Sequence, residues 1–180
     1  MNRVIYAAVL GLAGAGLVHV AVIFLIPWYS TQDAWPRLSA IAQPFQFVAI
    51  SDPSEPDAYL VNGDPLLRSA ACRIDIASAP ARITSDGQVP FWSVAIYDRR
   101  GINVFSYNDR TSTESDVDLV LATGAQAIEL GKAAVPEIAG SIIAEVKGDK
   151  LVAIVRAFQP DDSMAGDVAD FLERLSCDPL

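Results

Sequence analysis

The chain has 180 residues, which suffices for one domain of ordinary size plus an anchoring or targeting segment and excludes a multidomain enzyme. Its 22 acidic residues outnumber its 13 basic ones, and a net charge of −9 argues against binding to nucleic acid. The mean hydropathy of +0.31 is high for a soluble chain, and the apolar residues are partly concentrated at the N-terminus.

Residues 4–26 contain no charged side chain and predict one transmembrane helix. At helical rise this segment measures roughly 34 Å, enough to cross a hydrocarbon core of about 30 Å. Arg3 precedes it and favours a cytoplasmic N-terminus, while Trp28 and Tyr29 follow it as interfacial aromatic residues do. We predict a signal anchor over residues 1–29, a juxtamembrane linker or short helix over 30–43, and an outward-facing domain over 44–180.

A cleaved signal peptide is the competing interpretation of the same segment, because Ala13, Gly14 and Ala15 are small residues after a short apolar stretch. The apolar run continues to Ile26, however, so cleavage would leave an apolar new terminus. We prefer an uncleaved anchor. In a bacterium this interpretation predicts a single pass through the inner membrane with the C-terminal domain in the periplasm.

Four residues of the predicted helix recur at four-residue spacing and share one face: Ala7, Gly11, Ala15 and His19. Small residues permit close helix approach, and a polar side chain in hydrocarbon seeks a partner. We hypothesise that this seam associates with a second copy or with another membrane protein. A neutral histidine bonded to water or headgroups explains the pattern equally well.

The remaining residues predict an α+β domain, mainly antiparallel β, in which a sandwich-like sheet built from hairpins is covered by a C-terminal amphipathic helix. Turn residues at 86–87, 98–101 and 147–150 lie beside strand-like runs and predict three hairpins. Residues 122–140 are predicted to be irregular, with one helical turn at most, because Pro136 interrupts any helix. After a cap at Asp161 or Asp162, the C-terminal helix shows apolar residues at three- and four-residue spacing: Met164, Val168, Phe171, Leu172 and Leu175.

The outward domain lacks histidine, because His19 lies in the apolar helix, so Ser-His-Asp and Cys-His catalysis and histidine-rich zinc sites are excluded there. We predict no metal and no cofactor. The weak ligand-binding candidates are three basic and two aromatic residues: Arg99, Arg100, Arg110, Trp92 and Tyr97. The alternative is that the arginines form a solvated turn that protects a strand edge and that the aromatic residues belong to the core.

Cys72 and Cys177 are the two cysteines of the chain. In an oxidising compartment they can pair and so hold the C-terminus to the domain. Two buried free thiols are an equally good interpretation, because sequence does not give the distance between them.

Several runs resemble the domain of unknown function 1254 family: residues 72–81 with Pro80, the aromatic run 91–98 ending in Tyr97-Asp98, then Gly101, Asn103 and the pair Arg110-Thr111. The resemblance covers about a quarter of the chain. It implies a β-rich, sandwich-like domain exported to the bacterial envelope, and no established activity. No catalytic residue is therefore carried over.

These observations favour a non-enzymatic accessory module of the bacterial envelope, which binds a partner protein or an envelope ligand while held at the inner membrane. The alternative is a hydrolase that acts on envelope glycans or lipids through paired carboxylates. Two facing carboxylates with a raised pKa would favour the hydrolase, whereas an apolar patch would favour the binding module.

Overall fold

The computed structural model describes residues 2–30, 34–50, 64, 66–112 and 116–180. The acidic loop that the sequence predicts at residues 51–57 lies outside this part of the chain. The helices are α1 (Asn2–Ser30), α2 (Ala34–Ile41), α3 (Gly124–Ala133) and α4 (Ala165–Glu173). The strands are β1 (Phe47–Ala49), β2 (Leu67–Asp75), β3 (Ala81–Ser85), β4 (Trp92–Asp98), β5 (Asn103–Asn108), β6 (Val117–Ala122), β7 (Ile142–Glu145), β8 (Lys150–Phe158) and β9 (Ser176–Pro179).

The strands form two sheets. The five-stranded sheet has the order β1-β2-β8-β4-β5, and the four-stranded sheet has the order β7-β6-β3-β9. All neighbouring strands are antiparallel except β6 and β7, which are parallel. The fold is therefore α+β and mainly antiparallel, with an N-terminal apolar helix and a helix near the C-terminus, as the sequence predicted.

One apolar core lies between the two sheets. Side chains at alternate positions of each strand face it, including Ile74 and Val155 from the five-stranded sheet and Ile83 and Leu119 from the other. Helix α4 adds Phe171, which is fully buried. A disulfide between Cys72 on β2 and Cys177 on β9 joins the sheets across this core, over a sequence separation of 105 residues.

Helix α2 covers the outer face of the five-stranded sheet. Leu38 on this helix and Ala42 just after it are buried against Ala71 of β2 and Ile50, with Val152 and Ile154 of β8 packed beside them. Strand β8 therefore contacts apolar side chains on both faces, which explains why residues 151–158 are almost continuously apolar.

The hairpin predicted at residues 98–101 is present. Strands β4 and β5 pair in antiparallel register, and Gly101 has a φ of +77°, the left-handed conformation that glycine adopts without steric cost. The carboxylate of Asp98 accepts hydrogen bonds from the backbone N–H groups of Arg100 and Ile102, at 2.8 and 2.9 Å. This carboxylate therefore fixes the turn.

The other two predicted hairpins are wrong. The chain crosses between the sheets at Asp86–Gly87, since β3 and β4 belong to different sheets, and it crosses again between β7 and β8. At the first crossing, a Cβ atom on Gly87 would lie 2.8 Å from the Cα of Phe171, so the glycine is required by close packing against α4. At the second, Gly148 has a φ of +97° and turns the chain without pairing its flanking strands.

The stretch predicted to be irregular contains helix α3. Thr123 and Gln126 form a capping box: the Gln126 backbone N–H donates to the Thr123 hydroxyl, and the Thr123 N–H donates to the Gln126 side chain. Ala134 ends the helix in a left-handed conformation. Pro136 lies beyond this helix and starts a short 3₁₀ turn, so it does not interrupt α3.

Candidate functional site

Two cavities in the described part of the chain are candidate binding sites. One, of about 430 Å³, lies between the edge strands β1 and β9 beside α4. The other, of about 240 Å³, lies between α2, the outer face of the five-stranded sheet and the β4–β5 turn. We call the second cavity the α2 pocket; its lining residues include Trp35, Leu38, Ile50, Tyr97, Arg99 and Val152.

The α2 pocket has an apolar floor and wall. Ala71 and Ile154 lie side by side in the register of β2 and β8 and form part of the floor, and Leu38 closes it from α2. The pocket volume of about 240 Å³ is smaller than the roughly 300 Å³ at which ordinary small-molecule sites begin. The pocket thus suits a slender apolar group better than a bulky ligand.

Arg73 holds α2 against the sheet at this place. Its guanidinium carbon lies 5.7 Å from the centroid of the Trp35 ring, and its Nη1 donates to the carbonyl oxygen of Ser39 at 3.3 Å. The Ser39 hydroxyl donates to the Trp35 carbonyl oxygen at 2.7 Å within the helix. One strand residue therefore fixes both ends of the helix face that forms the pocket wall.

The polar side of the α2 pocket is the β4–β5 turn. The Asp98 carboxylate also accepts from the Arg100 guanidinium, at 3.1 Å, so it is already engaged within the turn. Partial burial opposes ionisation of Asp98, but the hydrogen bonds from Ile102 and Arg100 outweigh it and hold its pKa below the usual range. Arg99 is exposed and carries the only positive charge among the described lining residues.

The structure separates the five predicted ligand-binding candidates. Tyr97 and Arg99 line the α2 pocket, and Arg100 lies in the same turn. Arg110 follows β5 at the opposite end of that strand, about 20 Å away at the usual rise per residue, so it does not join the other arginines.

Trp92 does not line the α2 pocket. It is 1% exposed on the inner face of β4, where its ring meets the Tyr107 ring edge to face at a centroid distance of 5.1 Å. Tyr97 differs because it lies five residues further along, and an odd number of steps along a strand changes the face. The binding role of all five candidates stays a prediction.

Sequence reasoning missed the residues that form most of the pocket. Trp35 and Leu38 line the pocket, and with Ala42 just after the helix they recur at spacings of three and four, which is the pattern of one helix face. Val152 and Ile154 are apolar at positions where a solvent-facing strand would carry polar side chains. These two patterns together would have indicated a helix covering this sheet.

The small-residue seam lies on an exposed helix. Within the described residues, Asn2–Ile26 is long and apolar enough to cross a membrane, and none of it is buried within the protein. A Cβ atom added at Gly11 would meet no other atom within 4 Å. The association predicted for Ala7, Gly11, Ala15 and His19 stays a prediction, as does the choice between an anchor and a cleaved signal sequence.

No metal centre is formed by the residues that the structure describes, since no three of their His, Cys, Asp or Glu side chains come together. On the four-stranded sheet, the Asp118 carboxylate accepts two hydrogen bonds of 2.9 Å from Arg82 and one of 2.7 Å from the Ser141 hydroxyl. Burial opposes its ionisation, but these bonds keep its pKa below the usual range.

A β-sandwich with an apolar N-terminal helix and a helix-covered outer face is the class that these observations define. No protein-family model and no curated protein matches the chain. Among solved structures, the VPA0106 protein from Vibrio parahaemolyticus aligns with a TM-score of 0.62 and 13% identity, covering 87% of this chain and 36% of its own. A putative uncharacterized protein from Burkholderia cenocepacia aligns at 0.48 and 16% identity, covering 74% and 34%.

The first likeness shows a shared fold and no more, because the sequence identity is low. The chain spans about a third of the length of both solved proteins. The alignment with the Burkholderia cenocepacia protein is too loose to establish a shared fold.

Proposed function

We propose that this protein is a single-pass inner-membrane protein whose periplasmic domain is a non-enzymatic accessory module of the bacterial envelope, and that it binds a partner protein or an envelope ligand in the α2 pocket. The observation that carries the proposal is the apolar pocket itself, bounded by a helix that begins four residues after α1 ends. Arg3, which lies in the first turn of α1 just before its apolar run, supports a cytoplasmic N-terminus.

The disulfide supports a periplasmic location for the domain, because such cross-links persist in oxidising environments such as the periplasm. Membership of the domain of unknown function 1254 family is part of the proposal, and its support is the set of sequence motifs. Those motifs form turns: Asp98 organises the β4–β5 turn, and the Thr111 hydroxyl accepts from the Asn108 backbone N–H at 3.0 Å after β5.

Three of the described carboxylates fit this proposal better than the hydrolase. A catalytic acid of that class has a raised pKa, because it must carry a proton when the substrate binds. The carboxyls of Asp98, Asp118 and Asp161 all have a lowered pKa, and each accepts hydrogen bonds. They are therefore built as fixed negative charges.

The proposal is tested by purifying the full chain from membranes in mild detergent and identifying co-purifying proteins and lipids by mass spectrometry. Val152→Trp fills the α2 pocket, and we expect it to remove the bound molecule. Ile143→Trp is the matched control, since Ile143 is an exposed strand residue on the other sheet. Identical co-purifying molecules for both variants would contradict binding in the pocket.

His19→Leu serves a second comparison in the same experiment. A protein lost in His19→Leu and retained in Val152→Trp would associate through the helix seam. A molecule that is lost in Val152→Trp and retained in His19→Leu binds in the pocket.

A further inference from the structure

The α2 pocket is held close to the end of α1 by the chain itself. Trp35, which lines the pocket, follows Ser30 by five residues, and five residues span at most about 18 Å when fully extended. If α1 crosses the bilayer, Ser30 lies at the membrane face. The pocket wall is then within 18 Å of that face in any orientation of the domain.

The shape and chemistry of the pocket fit one unbranched hydrocarbon chain. A volume of 240 Å³ holds about eight methylene-sized groups, taking for each the roughly 30 Å³ that a water molecule occupies in the liquid. The floor from Ala71 to Ile154 offers no hydrogen-bonding side chain. A polar ligand inside would therefore lose its bonds to water without replacement.

The mouth of the pocket carries a matching charge. Arg99 is exposed beside it, while the neighbouring Asp98 is already bonded within the turn to Arg100 and Ile102. A guanidinium group binds phosphate through two parallel N–H donors. Trp35 and Tyr97 at the same place are residue types that are enriched at headgroup level.

We propose that the α2 pocket takes part of one acyl chain of a phospholipid from the leaflet next to Ser30, and that Arg99 binds the phosphodiester of that lipid. This inference rests on the proposed function and names the class of its ligand. The chain's net charge of −9 does not oppose it, because recognition requires only the local pairing of one phosphodiester with Arg99. Binding would hold the sandwich against the membrane surface.

The test is a photo-crosslink in native membranes. The full chain is expressed with a small aliphatic diazirine residue, close to leucine in size, in place of Val152, so that the pocket stays open; it is then irradiated and its intact mass is measured. We expect a mass increase equal to one phospholipid. The same photoreactive residue in place of Ile143 is the control, and we expect it to give no lipid adduct.

A charge variant tests the mouth of the pocket. Arg99→Gln in the crosslinking chain is expected to lower the yield of lipid adduct about fivefold, the effect of one basic residue at a membrane surface. Lys132→Gln, which removes one charge from the exposed end of helix α3, outside the lining of the α2 pocket, is expected to leave the yield unchanged.

Other adducts would overturn the inference in distinguishable ways. A doubled mass identifies a second copy in the pocket, a crosslink within the chain identifies one of its own segments, and a larger foreign protein identifies a protein partner. A partner adduct overturns lipid binding and leaves the proposed binding module intact. An empty pocket, with no adduct at position 152 in a folded, disulfide-linked chain, overturns both.

Discussion

Gly87 lies where the chain passes from β3 towards β4, directly against helix α4. A Cβ atom there would lie 2.8 Å from the Cα and 3.0 Å from the Cδ2 of Phe171, and the backbone atom cannot yield as a flexible side chain would. We expect Gly87→Ala to lower the free energy of unfolding by about 1–3 kcal/mol, the usual cost of overpacking. Urea unfolding of the full chain in detergent micelles measures it.

Gly166→Ala is the matched control for that variant. Gly166 lies in helix α4 with no other atom within 4 Å of an added Cβ, and alanine is the better helix former. We expect no loss of stability there. Equal losses in both variants would show that the contact with Phe171 is not the cause.

Asp118 is expected to make stability depend on pH. Its pKa is lowered in the folded protein, so its ionised form stabilises the fold above the unfolded pKa, and this contribution is lost as the pH falls through the folded pKa. Asp118→Asn should cost about 1–2 kcal/mol at neutral pH, as charged hydrogen bonds to Arg82 are removed. Thermal melts across the acidic range should show wild type and variant converging.

Asp86→Asn provides the comparison for this carboxylate. Asp86 contacts Arg174 at 3.5 Å, but its side chain is 75% exposed, and exposed pairs contribute little. The variant should follow the wild type at every pH. A difference between wild type and Asp118→Asn that persists well below the pKa would assign the loss to packing rather than charge.

At the scale of elements, the docking of α2 depends on Leu38. This side chain is 3% exposed and packs on the outer face of the five-stranded sheet, away from the core of the sandwich. Leu38→Ala should weaken docking by roughly 2–5 kcal/mol, the range for removing a buried leucine. Hydrogen exchange should show faster exchange in α2 and β1 and unchanged protection in β3 and β6.

Ile41→Ala on the same helix is the control, because Ile41 is 38% exposed. It should leave the protection of α2 nearly unchanged. Loss of protection throughout the sandwich in Leu38→Ala would instead show that α2 is part of the cooperative fold.

Strand β9 is held by the disulfide and by its pairing with β3. Closing a loop of 105 residues is worth about 4–5 kcal/mol in the chain-entropy account, and native strain reduces this figure. The double variant Cys72→Ala, Cys177→Ala should therefore unfold at a lower urea concentration. Its β9 amides should also exchange before those of β6, whereas uniform exchange would show that β3 alone holds the strand.

The sequence predicted most strands because their alternation follows directly from having one buried face. Which strands pair with each other was harder to predict, because turn residues describe only the local backbone. At residues 98–101 the turn joins two neighbouring strands, but at Asp86–Gly87 and at Gly148 similar residues precede a change of sheet. Which sheet the next strand joins depends on contacts between residues that are far apart in the sequence.

Two further elements were missed for specific reasons. Helix α3 buries none of its residues, so it has no apolar stripe, and its one signal is the capping box of Thr123 and Gln126. Strand β9 has the sequence Ser-Cys-Asp-Pro, which lacks strand-forming residues, and it exists through its pairing with β3 and its cross-link. In the candidate site, Arg99 and Tyr97 were predicted from residue type, whereas the apolar pocket depends on α2.

At the scale of the whole molecule, the proposed topology predicts where a reporter fused after Leu180 will function. Arg3 is a single basic residue next to the apolar run of α1, so it favours a cytoplasmic N-terminus by a small margin. We expect a phosphatase that requires export to be active in this fusion. A green fluorescent protein that folds only in the cytoplasm should stay dark, and bright fluorescence would contradict the topology.

The cross-link between β2 and β9 also sets an order of events during biosynthesis. Cys177 is made 105 residues after Cys72, which at 5–20 residues per second is a delay of roughly 5–20 s. If the domain is exported as it is made, Cys72 enters the oxidising compartment as an unpaired thiol and waits there for its partner. During that interval its thiolate can attack other disulfides and form mixed disulfides by exchange, and the native pairing becomes available only when β9 has crossed the membrane.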